Sequence, residues 1–191
     1  IWFRESLLKR RDMIADKISD IDEEVRIVVR NLEGARDRIS DWPLKKRSFD
    51  HLASGIKRTY KRGRDAFDTV CETSRPEDFH ELRKRVKYHW LHMRLLRSIW
   101  PDLMKGYIST MKDLSDIYGY YHDLVILGQT INDEPMLLEG NEGSAQLLHE
   151  RIEAEKCYLQ KQGSKICRVV YAPSPSKVVT LLGSYWKGFR N

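Results

Sequence analysis

Phe79-His80-Glu81-Leu82-Arg83-Lys84-Arg85-Val86-Lys87-Tyr88-His89-Trp90 is the stretch whose reading organises the rest of the chain. Its apolar residues Phe79, Leu82 and Val86, continued by Met93 and Leu96, recur at the three- and four-residue spacing of one helix face. On a wheel of 100° per residue, His80, Arg83, Lys84, Lys87 and Arg94 fall within an arc of about 100° on the other side. They predict a basic stripe about 20 Å long, at 1.5 Å rise per residue. Between Leu82 and Trp100 there is no acidic residue. A solvated helix ordinarily interleaves Glu with Lys one turn apart, and like charges at that spacing cost a few tenths of a kcal/mol per pair. An anionic partner would offset that repulsion.

The flanking segments repeat the pattern. Before it, Lys57, Lys61 and Arg64 are spaced i, i+4, i+7, with Tyr60 alongside, while Phe49, Leu52, Ile56, Phe67 and Val70 form the expected core side. After it, Lys105 and Lys112 lie seven apart with Ser109 between them, on a face that soon reaches Asp116. Three successive helices therefore each offer a core face and a basic face. Packed as neighbours, they would converge on a groove from which a phosphate chain displaces counterions. Arginine forks suit bidentate phosphate contacts, and Lys and His add point charges.

Composition agrees with this local picture. The 191 residues carry a formal net charge of +6. Residues 45–112 hold seventeen Lys and Arg against eight Asp and Glu, while the remainder holds seventeen against twenty. The positive excess is therefore confined to the central block, where it draws anionic partners. No stretch approaches the roughly 20 apolar residues of a membrane span, so no membrane partner is expected. Cys71, Cys157 and Cys167 form neither an even set nor a CxxC pair; small buried thiols in a reducing cytoplasm are expected. The chain opens with Ile1-Trp2-Phe3 rather than Met, and a preceding segment is expected.

Helical periodicity runs throughout, with no strand-like alternation. A weakly amphipathic segment to Ile18 precedes a helix over 21–39, in which Val25, Val28, Val29, Leu32, Ala35 and Ile39 share a stripe. Asp41-Trp42-Pro43 ends it. Further helices are expected over 48–71, from 77 or 78 to 99, from Trp100-Pro101 to Tyr118 with Gly119 as a turn, and over 122–131 before Asn132-Asp133-Glu134-Pro135. A loop over 139–143, a long polar helix over 144–171 and a last helix opened by Ser174-Pro175 complete the chain. Seven or eight helices with short connections imply an all-α helical bundle or two packed bundles.

The stretch His80-Glu81-Leu82-Arg83-Lys84-Arg85-Val86-Lys87 resembles the signature helix of CHAD domains. Phe49-Asp50-His51-Leu52 and Tyr60-Lys61-Arg62-Gly63-Arg64 are similar to the family segment before it, and Gly119-Tyr120-Tyr121-His122-Asp123-Leu124 resembles the turn after it. Trp90 to Leu96 and the closing Tyr185-Trp186 suit one branch of the family, so the resemblance covers roughly residues 30–190. It implies two four-helix repeats around a basic central groove that binds inorganic polyphosphate without catalysis, in the bacterial cytoplasm or at polyphosphate granules. Carried over by position, the binding residues are His80, Arg83, Lys84, Lys87 and Arg94, joined by Lys57, Tyr60, Lys61, Arg64, Lys112 and His122. Residues 1–43 are read as the remainder of the first repeat and 44–191 as the second repeat with the C-terminal helices, in a single domain. The first repeat's own H..R...(K/R) helix has no counterpart here, which leaves the completeness of that repeat open.

Rival chemistries leave weaker traces. His122-Asp123 invites a metal-dependent HD-type phosphohydrolase, with His80, His89, His92 and Asp133 as further ligands. The surrounding Arg and Lys would repel a cation, so Asp123 is expected to cap a helix or pair with a base, with no metal or cofactor. His89 and His92 read as hydrogen-bonded interior or boundary groups. Glu153-Ala154-Glu155-Lys156 lacks the ExExK spacing of triphosphate tunnel enzymes. There is no Gly-rich phosphate loop and no nucleophile elbow. Nucleic acid is the nearest alternative partner, because its phosphates obey the same electrostatics, but no base-reading helix or stacking platform is evident. A scaffold without any anionic ligand is the third reading.

Overall fold

The computed structural model describes residues 2–16, 21–42, 48–138 and 142–190. Among these there are seven α-helices and no strand. They are α1 (Trp2–Ala15), α2 (Ile21–Asp37), α3 (Asp50–Thr73), α4 (Pro76–Leu95), α5 (Pro101–Asp133), α6 (Glu142–Val170) and α7 (Pro175–Arg190), with short 3-10 turns at Arg38–Asp41, Arg97–Ile99 and Pro135–Leu138. The all-α class read from periodicity is thus observed. No described helix is long and apolar enough to cross a membrane.

Helix boundaries follow the punctuation of the sequence. Pro76, Pro101 and Pro175 each open a helix, where a missing N–H leaves no hydrogen bond unmade. Before α7, Ser174 Oγ accepts from the Lys177 N–H at 3.4 Å, the expected cap. The start of α4 is tied back to the end of α3, because the Asp78 carboxylate accepts from the Thr73 hydroxyl at 2.6 Å and from Arg75 Nε at 2.8 Å. Pro43 and most of the 139–143 loop lie outside the described residues, and Gly143 is helical.

The chain divides into two compact units. The first holds α1, α2 and the Pro135–Leu138 turn. Its α2 is amphipathic as read, yet Val25, Val28, Val29 and Leu32 are all exposed.

In the second unit, α3 packs on α4, α4 on α5, α5 on α6, and α7 returns to α3. The main core gathers Phe67 and Val70 of α3, Phe79, Leu82 and Val86 of α4, and Met111, Leu114 and Tyr118 of α5. A second cluster joins Phe49, Ile56, Met93, Leu96, Met104 and Leu182. Each such side chain contributes about 1.5–3 kcal/mol when fully removed from water. Two glycines admit tyrosine rings at close range. Tyr171 lies on Gly63, and a methyl group at Gly163 would meet the Tyr118 ring at 2.7 Å.

Three readings need correction. Gly119 is not a turn: α5 runs unbroken for 33 residues. A mid-helix glycine costs about 1 kcal/mol, less than the burial of Leu114, Tyr118 and Tyr121 on either side of it stabilises. Leu52 is 42% exposed rather than core, in the first turn of α3, while Phe49 and Ile56 on either side of it are buried. Of the cysteines only Cys167 is buried; Cys71 and Cys157 are exposed.

Candidate functional site

The amphipathic split of α4 is observed. Phe79, Leu82, Val86, Met93 and Leu96 are all buried, which turns the basic residues outward. Because α4 lies between α3 and α5, its polar groups border both neighbours.

The tightest cluster forms on the α5 side. The rings of His80 on α4 and His122 on α5 stand 4.9 Å apart, tilted by 47°. Arg83, one turn along from His80, reaches across to α5, where a methyl group at Gly119 would lie 3.8 Å from its Nε. The guanidinium thus lies close over the α5 backbone at Gly119, at a distance where a methyl group would make only ordinary contact. Arg83 Nε is buried and has no hydrogen-bond partner. Burial lowers the pKa of His122, and the adjacent His80 and Arg83 charges lower it further against a smaller opposing effect of Asp123. Burial first, and the positive neighbours second, thus disfavour protonation of the imidazole.

The other residues of the stripe differ in how free they are. Lys87 is exposed and has no ion pair among the described residues. Arg94 lies over the Trp90 ring at 5.0 Å, a cation–π contact that holds the guanidinium near the helix while leaving its N–H groups outward. Lys84 is paired with Glu81 at 2.5 Å, and the same carboxylate binds Arg85 at 2.6 Å. Glu81 lies one residue before the acid-free stretch and neutralises part of it from a turn away. Hydrogen bonding from Lys84 holds that carboxyl below its usual range.

On α3, Lys57 and Arg64 have no ion pair among the described residues, while Lys61 is paired with Asp65 at 2.6 Å. On α5, Lys112 is paired with Asp116 at 2.5 Å. These pairs are exposed and screened by solvent, so they hold their lysines only weakly. The structure thus brings His80, Arg83 and His122 together, continues them with Lys87 and Arg94, and leaves Lys57, Lys61, Arg64 and Lys112 on adjacent helices.

Tyr60 does not belong to this face. It is fully buried, and its hydroxyl donates toward the carbonyls of Val170 at 2.8 Å and Pro173 at 2.9 Å. Burial pushes the phenol up to about 12. It is a latch between α3 and the α6–α7 connection, placed inward because it shares a side with Ile56, Gly63 and Phe67. Asp123 caps nothing, since no helix starts at His122. His89 is buried and shares a 2.8 Å hydrogen bond between Nε2 and the Tyr107 hydroxyl. Burial, followed by the His92 charge, pushes its pKa down to about 4. Among the described residues, no three His, Cys, Asp or Glu side chains converge as a metal site. Sequence reasoning missed Glu81 as a shared counter-ion and the approach of Arg83 to the α5 backbone at Gly119; only the one-turn spacing of Glu81 from Lys84 and Arg85 signals the first.

An all-helical bundle with a cationic seam between two packed helices is the class these features define. Residues 4–132 match the family model of the CHAD domain. That match spans most of the chain, which therefore belongs to the CHAD family. It begins within α1, so the first two helices fall inside the family region, and it ends near the close of α5. No curated protein and no solved structure matches the chain.

Proposed function

We propose that this CHAD domain binds inorganic polyphosphate non-catalytically along the α4–α5 seam, in the cytoplasm and at polyphosphate granules. The observation that carries this reading is Arg83, with a buried Nε that lacks an acceptor beside the His80–His122 pair. A buried donor without a partner costs about 1–3 kcal/mol. A phosphate oxygen would supply that acceptor and favour protonation of the neighbouring imidazoles. Lys87 and Arg94 extend the contact along α4. Lys84, Lys61 and Lys112 join by exchanging their carboxylate partners for phosphate, with Lys57 and Arg64 adding charge from α3.

Calorimetric titration with long-chain polyphosphate, duplex DNA and single-stranded RNA, each at two salt concentrations, tests the proposal. Polyphosphate should bind tightest, and affinity should fall with salt at a log–log slope of about 0.7–0.9 per phosphate neutralised. Equal affinity for all three polymers would reduce the reading to generic polyanion binding. No binding at low salt would leave a scaffold, and phosphate release that depends on added Mn²⁺ or Mg²⁺ would restore the hydrolase. The double variant Arg83→Glu/Lys87→Glu should weaken polyphosphate binding by about tenfold or more, since charge-assisted bonds contribute about 1.5–3 kcal/mol each. Its helical circular dichroism should be unchanged. Unfolding would assign these residues to structure instead.

A further inference from the structure

A cleft on the second unit is unrelated to the basic seam. Among the helices, α7 packs on α3 and α6 on α5, whereas the first half of α5 and α7 face each other without close packing. Between them opens a cavity of about 600 Å³, within the range of about 300–1,000 Å³ typical of small-molecule sites. Met93 and Leu182 form its buried base, with Tyr107 on the α5 wall and Val178 on the α7 wall. Leu103, Leu181 and Val169 stand at its lip, exposed to 45%, 51% and 76%.

The polar groups of the lining restrict what fits. The Tyr107 hydroxyl is engaged by His89, and the Thr110 hydroxyl donates to the Gly106 carbonyl at 3.1 Å. Lys177 is the single charged residue of the lining, exposed and without an ion pair among the described residues. It stands in the first turn of α7, where the helix dipole also favours negative charge. From Lys177 to Tyr185 the α7 wall runs about 12 Å at 1.5 Å per residue.

We propose that this cleft binds a single-chain anionic amphiphile, its alkyl chain between α5 and α7 and its carboxylate or phosphate head at Lys177. Between Lys177 and the Tyr185 hydroxyl at the other end the walls are almost wholly apolar, which selects against polar metabolites, and one cation at one end selects for one anionic head. Gly106 supplies a clean block. It lines the cleft, and a Cβ there meets nothing within 4 Å, so a Phe side chain at this position starts from open space.

The test is thermal shift and calorimetry with decanoate, decyl phosphate and decanol. Wild type should be stabilised by both anions and far less by decanol. Gly106→Phe should lose the shift while keeping its circular dichroism, and Lys177→Glu should weaken decanoate binding by about tenfold or more through loss of the charge-assisted contact. No shift with either anion would overturn the proposal, as would decanoate binding equally well to wild type and Lys177→Glu, or decanol stabilising wild type as much as the anions do. A dimer in light scattering that Gly106→Phe dissociates would also overturn it, because protein would then cover the cleft.

Discussion

His89 and His122 occupy neighbouring helices, yet their surroundings assign them different work. His89 is enclosed by Tyr60, Tyr107 and Tyr171 and stays neutral, its pKa pushed down to about 4. An unfolded histidine titrates near 6.5, so on acidification the unfolded chain takes up its proton first. Stability from this group is therefore complete above about pH 6.5 and is lost as pH falls toward 4, to a total of about 3 kcal/mol. Urea unfolding at pH 7 and pH 4.5 should show wild type losing most of that amount. His89→Gln should be less stable at pH 7, because the Tyr107 contact changes, and should lose less between the two pH values. An equal loss in both proteins would place the acid sensitivity elsewhere. At this scale the sequence is ambiguous for a physical reason: Tyr60 lies between two lysines in the linear order, and its placement depends on carbonyls 110 and more residues away.

Among the elements, α4 was legible almost completely, since one face is largely apolar and the other, beyond Glu81, is basic without an acidic residue. The α5 helix was not. Gly119 in a run of polar and aromatic residues reads as a turn, and only the burial of Tyr118 and Tyr121 against α4 and α6 makes it helix interior. Paired glycine variants test this. Gly119→Ala places its methyl group 3.8 Å from Arg83, an ordinary contact, and should stabilise the protein by about 0.5–1 kcal/mol through helix propensity and the unfolded-state entropy. Gly163→Ala drives its methyl group to 2.7 Å from the Tyr118 ring and should destabilise by about 1–3 kcal/mol, the usual cost of overpacking. Thermal unfolding of both variants decides the matter, and a destabilised Gly119→Ala would return position 119 to a turn. The α2 stripe illustrates the opposite limit of periodicity, which identifies an apolar face but cannot say what lies against it.

For the molecule as a whole, the central concentration of positive charge was readable from a count, but its neutralisation was not. Lys61, Lys84 and Lys112 each find a carboxylate a turn away, so of the expected contact residues Lys57, Arg64, Arg83, Lys87 and Arg94 keep their charge without an ion pair among the described residues, and His80 and His122 stand beside Arg83. This makes polyanion affinity depend on pH as well as on salt. In the free protein the pKa of His122 is lowered by burial and by its cationic neighbours, so near neutral pH the ring is mostly uncharged. A bound polyphosphate reverses the sign of the local potential and raises that pKa, and binding is then accompanied by proton uptake. Affinity should increase as pH falls from 8 toward 6, by at most about tenfold per pH unit for one proton, and level off once the ring is already charged in the free protein. Titration calorimetry in two buffers of different ionisation enthalpy should show different apparent heats for wild type. His122→Gln should bind more weakly at pH 6 with less buffer dependence. Strong polyphosphate binding with identical affinity at pH 8 and pH 6 and buffer-independent heat would place the phosphate chain away from the His80–His122 pair while leaving the basic stripe itself engaged.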